Sequence, residues 1–268
     1  MSAPDLTPAA LERHLHATLF GHRVHYYRTL GSTNDRALEL AAAGEPEGAI
    51  VLAEEQTRGR GRRARSWRSP PHLGIYASIV LRPGIAAPRA PLLTLLAAVG
   101  VTRALQDQAG VPARIKWPND VIAGGRKIAG VLAEARGSEP VVREVVVGFG
   151  VNADQLEEDF PPDVRALATS VRIETGRVAD RPALLAAILE ECERRYTRLV
   201  RGEIDDLRAE WAGLASGPQG GRVVVDGPGG RREGILLGVD VEGGLLLRGA
   251  DGTDARVPFG EIVHVAWP

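Results

Sequence analysis

The breaker cluster Ser216-Gly217-Pro218-Gln219-Gly220-Gly221 divides the chain into two stretches of different character. Behind it stand five short strand-like runs, residues 223–225, 234–237, 245–247, 255–257 and 262–265, separated by Gly- and Asp-rich turns. Such a tail reads as a small β-barrel of about 45 residues, close to the minimum size for folding alone and so expected to dock on the larger part. Ahead of the cluster, helical and strand patterns mix. The expectation is therefore an α+β chain with two domains, residues 1–217 and 218–268.

Composition removes several classes. With 268 residues and 44% hydrophobic content the chain can bury a real core, and its single Cys192 rules out a disulfide scaffold. A net charge of -1 argues against bulk attraction to nucleic acid or membranes, so any anion site must be local. The longest apolar stretches, residues 69–81 and 90–102, are closed by Arg68, Arg82, Arg89 and Arg103 well short of a membrane span. No secretory signal is visible at the N-terminus, and a cytoplasmic, reducing location is expected. Among 33 basic residues only Lys116 and Lys127 are lysine, and both fall in one short segment. That placement suggests positions where a compact ammonium is needed and a planar fork will not fit, although chance placement of a rare residue gives the same pattern.

Thr7-Pro8 reads as a cap and first-turn proline, with Leu11, Leu15 and Leu19 as one apolar stripe of a first helix. A short extended run follows at residues 24–27. Ser32-Thr33-Asn34 precedes a helical face over residues 35–43 that stops at Gly44. Strands are predicted over residues 49–54, 74–81, 114–117, 127–135 and 141–149, and a helix over 90–108. A second long helix carries Leu184, Leu185, Ile188, Leu189, Cys192, Tyr196 and Leu199, which makes Cys192 a buried, structural thiol.

Three segments carry chemistry. Residues 56–68 hold six arginines in eleven positions, and no acidic residue occurs from Gln56 through Gln106. Glycines between guanidinium groups allow close approach to phosphate or carboxylate oxygens, though a solvated basic patch uses the same residues. Gly59-Arg60-Gly61-Arg62-Arg63-Ala64 matches a loose dinucleotide pattern, but Ser69-Pro70-Pro71 stands where its helix should begin. No phosphate loop of the G-x-x-x-x-G-K-[ST] type occurs.

The second segment, Lys116-Trp117-Pro118-Asn119-Asp120, gathers an ammonium, an indole, an amide and a carboxylate before a Gly124-Gly125 turn returns to Arg126-Lys127-Ile128-Ala129-Gly130. Asp120 can meet Mg²⁺ or an amine, and Lys127 a carboxylate or phosphate; turn chemistry alone also accounts for Pro-Asn-Asp. The third, Gly148-Phe149-Gly150-Val151-Asn152, offers a bare backbone against which a ring can pack. No histidine spacing fits a zinc site, and no G-x-S-x-G nucleophile elbow is present.

In order and spacing these segments resemble those of the biotin protein ligase family over residues 25–268. The resemblance implies a class II aminoacyl-tRNA synthetase-like catalytic domain with an SH3-like C-terminal domain. It implies two steps: biotin and ATP form biotinyl-5'-AMP, and a lysine of a biotin carboxyl carrier protein then takes the biotinyl group. By this resemblance Ser32, Thr33, Asn34 and Gln56 hold the ureido ring, with Gly59, Arg60, Gly61, Arg62, Lys127 and Gly130 completing the biotin site. Arg60, Arg62, Arg63, Trp67, Lys116, Asn119, Lys127 and Asn152 would serve ATP and the adenylate. Trp117 would wall the biotin pocket. Lys127, Arg62 and Asp120 would act in catalysis, with Asp120 also the candidate Mg²⁺ ligand.

Arg58 stands where the family usually has a small residue, and Ala64 where it usually has glycine. Only about 30 residues precede Ser32, without a helix-turn-helix, so a short monofunctional form that binds no operator is expected. Monomer and homodimer stay open. The rival readings are a lipoate or octanoate ligase or transferase, and a non-enzymatic RNA-binding protein.

Overall fold

The computed structural model describes residues 5–135, 140–217, 219–227 and 230–266; Pro218 of the breaker cluster lies outside them. Thr7 caps a first helix α1 (Pro8–Glu12), its side chain accepting from the Ala10 amide. This helix is one turn long. The expected stripe through Leu15 and Leu19 is not helical beyond Glu12, and both leucines instead pack on the core from the following loop.

A seven-stranded mixed sheet forms the body of the molecule. Its strands are β1 (Val24–Leu30), β2 (Ile50–Gln56), β3 (Gly74–Leu81), β5 (Arg114–Lys116), β6 (Asp120–Ala123), β7 (Arg126–Ala135) and β9 (Val145–Asn152), in the order β1-β2-β3-β9-β7-β6-β5. A separate ladder pairs β4 (Ile85–Ala86) with β8 (Val141–Val142). The run expected as one strand over residues 141–149 is thus two strands. The β1–β2 pair is parallel and the other sheet ladders are antiparallel.

Residue parity separates the two faces of this sheet. Ile50 and Leu52, Ile79 and Leu81, and Val145 and Val147 join the large core, whereas Val51, Val80 and Val146 form a second cluster with Ala37 and Ala41. Those alanines belong to α2 (Thr33–Ala42), capped by Ser32. The opposite face is covered by α3 (Pro91–Asp107), packed against α5 (Arg181–Val200). A short α4 (Val171–Thr175) precedes α5. Cys192 is buried on α5 as expected, and burial pushes its thiol up to about 12.

Four elements, β4, β6, α4 and α6, stand where no element was expected. Strand β6 begins inside the Pro-Asn-Asp turn signal. Helix α6 (Asp205–Leu214) buries Leu207, Trp211 and Leu214 at helical spacing, a signal present in the chain.

The five C-terminal strands, β10 (Arg222–Gly227), β11 (Gly230–Val239), β12 (Leu245–Arg248), β13 (Asp254–Val257) and β14 (Glu261–Ala266), form an antiparallel sheet of order β13-β12-β11-β10-β14. Register shifts at Leu236/Gly238 and Val224/Val225 bend it, consistent with the expected SH3-like unit. Its apolar face joins the main core, and the Trp117 indole donates to the Gly243 carbonyl at 3.2 Å across the junction.

One buried ion pair ties sheet to helix. Glu54 on β2 and Arg181 at the start of α5 are 1% and 0% exposed, 2.7 Å apart, and Glu54 also accepts from the Leu6 amide at 2.6 Å. Removing the guanidinium would leave a buried carboxylate uncompensated. Arg181→Leu is therefore expected to cost about 3–5 kcal/mol in urea unfolding, and Glu54→Leu/Arg181→Leu to recover part of that loss.

Candidate active site

The site begins with what two strands lack. On β9 the core-facing residues are Val145, Val147, Phe149 and Val151; on the other face Val146 is followed by Gly148 and Gly150. Register places Ser78, Gly148 and Leu132 in one row across three strands, and Tyr76, Gly150 and Gly130 in the next. A Cβ at Gly148 would fall within the Asn34 side chain, and one at Gly150 within the Trp67 indole. These glycines hollow a floor over which both side chains lie.

At one end of the floor α2 supplies polar groups. Ser32 caps the helix by accepting from the Asp35 amide. The Thr33 amide and hydroxyl lie 2.8 and 3.0 Å from Gln56 Oε1, and Gln56 Nε2 donates to Ser69 Oγ at 2.8 Å. Ser32, Thr33, Asn34 and Gln56, from two separate segments, thus line one cavity.

Cations gather at the other end. A register slip between Val121 and Ile122 inserts an extra residue into β7, so Ile128 and Ala129 are both buried in the core while Lys127 reaches the cavity beside Gly130. The Lys127 backbone is held by residues 167–169, its amide donating to Leu167 and its carbonyl accepting from Thr169. Its ammonium stands 2.5 Å from Asp120 and 5.3 Å from the centre of the Trp67 ring, within cation–π range.

The arginine segment spans the cavity, with Arg60 beside α2 at the polar end and Arg62 beside Asn119 at the other. Arg60 pairs with Asp35 at 2.8 Å and Glu134 at 2.5 Å. Arg62 reaches the Asn119 amide oxygen at 3.2 Å and makes no ion pair among the described residues. Burial, followed by the neighbouring charge of Arg63, pulls its guanidinium below the ordinary arginine range. Glu261, from β14, stands 2.9 Å from Arg65, 3.8 Å from Lys116 and 4.0 Å from Arg63. Burial alone would raise Glu261, but the Arg65 hydrogen bond and the surrounding cations leave its carboxyl below the usual range.

Of the expected site residues, Arg60, Gly61, Arg62, Arg63, Trp67, Asn119, Asp120, Lys127 and Gly130 share this cavity with the α2 polar groups. Three stand apart. Gly59 is beneath the loop, where a Cβ would strike the Trp67 carbonyl. Lys116 points to Glu261 and lines a different depression. Asn152 is buried, donating to the Thr169 carbonyl and accepting from Gln155. Trp117 is a correction: it is 1% exposed and borders a separate apolar cavity of about 260 Å³ between α3 and the C-terminal sheet. Glu134 and Glu261 are additions. No local pattern marks either carboxylate; both matter because distant strands bring them to the arginines.

A Mg²⁺ role for Asp120 fits poorly, because the carboxylate already holds Lys127. Among the described residues, the cluster with metal-like spacing is Asp5, Glu54 and His72, outside the cavity and with Glu54 engaged by Arg181. The cavity volume is about 110 Å³, and a second depression lined by residues 58–66, Leu132 and Glu134 adjoins it.

A glycine floor, a polar end and a cationic end on a mixed sheet define a protein that grips an organic anion along its length. Residues 26–152 match the model of the Biotin/lipoate A/B protein ligase family. The chain is 37% identical over 238 residues to the Bacillus subtilis bifunctional ligase/repressor BirA, covering 89% of this chain and 73% of that protein. It is 33% identical over 276 residues to the Mycobacterium tuberculosis biotin--[acetyl-CoA-carboxylase] ligase, covering 97% of each. The Aquifex aeolicus biotin protein ligase solved with biotin and ATP superimposes with a TM-score of 0.77 at 27% identity, over 90% of this chain and 97% of that one. The chain belongs to the biotin protein ligase family.

Within the arginine segment, Arg63 and Ala64 have φ of 55° and 58°, the left-handed region that L side chains enter at a cost. Ala64→Gly removes that strain, and is expected to stabilise the protein by about 1 kcal/mol, a rise of roughly 2–4 °C in calorimetric Tm.

Proposed function

We propose that the chain catalyses ATP-dependent biotinylation of a lysine on a biotin carboxyl carrier protein, through biotinyl-5'-AMP. In the first step a biotin carboxylate oxygen attacks the α-phosphorus of ATP and pyrophosphate leaves. In the second, the carrier lysine attacks the activated carbonyl carbon, an amide forms, and AMP leaves. The observation that carries this reading is the convergence of the α2 polar groups with Lys127, Arg60 and Arg62 over the glycine floor. A neutral, hydrogen-bonding head at one end and a carboxylate at the other match that division.

Lys127 and Arg62 would neutralise the negative charge that accumulates as carboxylate approaches phosphate. Asp120 would keep Lys127 aimed, since the pair is already formed at 2.5 Å. Trp67 and the bare backbone of Gly130 and Gly150 would border the nucleotide. Lys116, Asn119, Arg63 and Asn152 would serve it from the rim, Lys116 and Asn152 only after side-chain rearrangement. Mg²⁺ would arrive with ATP. A catalytic unit over residues 1–217, an SH3-like unit over 218–268 and a cytoplasmic location complete the reading, supported by the change in composition at the breaker cluster and by the reducing context that a free Cys192 suits. Among the described residues no helix is long and apolar enough to cross a membrane.

The test is pyrophosphate exchange into ATP, run separately with biotin, lipoate, octanoate and no acid. Exchange with biotin is expected. Exchange only with lipoate or octanoate moves the chain to the neighbouring acyl ligases, and none with any acid leaves the arginines as a binding patch. Lys127→Gln, which removes the charge and keeps a polar tip, is expected to lower biotin-dependent exchange about 10²-fold or more.

A further inference from the structure

Behind the polar end of the cavity runs an unbroken chain of side-chain contacts. Glu134 Oε2 accepts from Arg60 at 2.5 Å and from Asn34 Nδ2 at 2.8 Å. Asn34 Oδ1 lies 2.6 Å from Ser78 Oγ, and Ser78 Oγ lies 2.8 Å from Thr33 Oγ1. Thr33 meets Gln56, Gln56 meets Ser69, and Ser69 Oγ returns to the Trp67 carbonyl at 3.3 Å. Both ends of the chain lie in the arginine segment, at Arg60 and at Trp67.

Proton counting gives this chain a direction. Ser78 is fully buried and has one hydroxyl hydrogen. An amide oxygen only accepts, so that hydrogen is committed to Asn34 Oδ1, and the Thr33 hydroxyl must donate to Ser78 or to Gln56. On its other side Asn34 faces two acceptors, Glu134 and the Leu132 carbonyl at 3.2 Å, which require its NH₂ group there. The Asn34 amide therefore has a single orientation, set by Ser78 and Glu134 together. It lies against the floor only because Gly148 carries no side chain.

We infer that Ser78 and Glu134 are positioning residues for the acid substrate, and that Glu134 joins the polar end of the cavity to Arg60 of the loop. This rests on the biotin-activation reading above. Neither side chain lines the cavity; both act through Asn34, and Glu134 through Arg60 as well. A head group that engages Asn34 thereby bears on the same carboxylate that holds Arg60. Asp35, which also pairs with Arg60, gives the loop a second hold that does not pass through Glu134.

Two near-isosteric variants, Ser78→Ala and Glu134→Gln, test the inference. In pyrophosphate exchange, the KM for biotin is expected to rise about tenfold in each, while the KM for ATP stays within about twofold, the size set by one lost hydrogen bond to a charged or buried partner. With no acid present, trypsin should cut residues 59–67 several-fold faster in Glu134→Gln, because Arg60 loses one of its two carboxylates; Ser78→Ala should not share that increase. Equal rises in both KM values, or an unchanged KM for biotin, overturns the inference, as does cleavage of Glu134→Gln no faster than that of the unaltered chain. Absence of exchange in the unaltered chain sinks the functional reading instead, and the trypsin comparison then decides whether Glu134 holds the loop.

Discussion

A β-sheet ordinarily fills both faces with side chains, and a cavity on one face exists only where alternate residues give up their Cβ atoms. Strand β9 meets that condition with Gly148 and Gly150 while keeping Val147, Phe149 and Val151 for the core. Gly130 extends the bare patch to the neighbouring strand. Everything else in the site is arranged around this absence: Asn34 and Trp67 occupy the space the missing side chains leave, and the slip in β7 turns Lys127 toward it. The same slip sends both Ile128 and Ala129 into the core, so the catalytic geometry and the packing of the sheet share one irregularity.

The charge balance of the cavity is local, as the near-zero net charge required. No carboxylate comes from the arginine segment or the 38 residues after it, so its counterions arrive from elsewhere: Asp35 from α2, Glu134 from β7 and Glu261 from β14. Arg62 is the arginine of the cavity held by amide and carbonyl oxygens alone. A half-buried guanidinium in that position is more attractive to an incoming anion than one already neutralised. Lys127 differs again, its compact ammonium poised between the Asp120 carboxylate and the Trp67 ring.

Much of this was readable in the order of residues because local physics wrote it. Ser32 caps α2 as its hydroxyl predicts, strand β3 spans residues 74–81 as read, and all five C-terminal strands fall on their predicted runs between turns. The misreadings have local causes too. Leu15 and Leu19 kept helical spacing but were recruited by the core after the helix had ended. Pro-Asn-Asp looked like a turn and hid the start of β6, which the β7 return strand stabilises by pairing. Trp117 stood next to site residues in the chain yet faces the junction with the C-terminal sheet, because it sits in the turn between β5 and β6 and its indole is held there by the Gly243 carbonyl.

What no linear pattern carries is the meeting of segments far apart. Glu261 is 196 residues from Arg65, and Glu134 is 100 from Asn34. The contact with Glu261 has a consequence for the C-terminal sheet. That sheet is not merely packed on the core: it places a carboxylate among cations that must also receive the phosphates of a nucleotide in the proposed reaction. Anionic ligand and Glu261 would compete for overlapping charge in the proposed reaction, so the positions of β14 and of the arginine segment are one electrostatic problem. A ligand that engaged Arg63 and Arg65 would take from Glu261 the contacts that tie the loop to the C-terminal sheet.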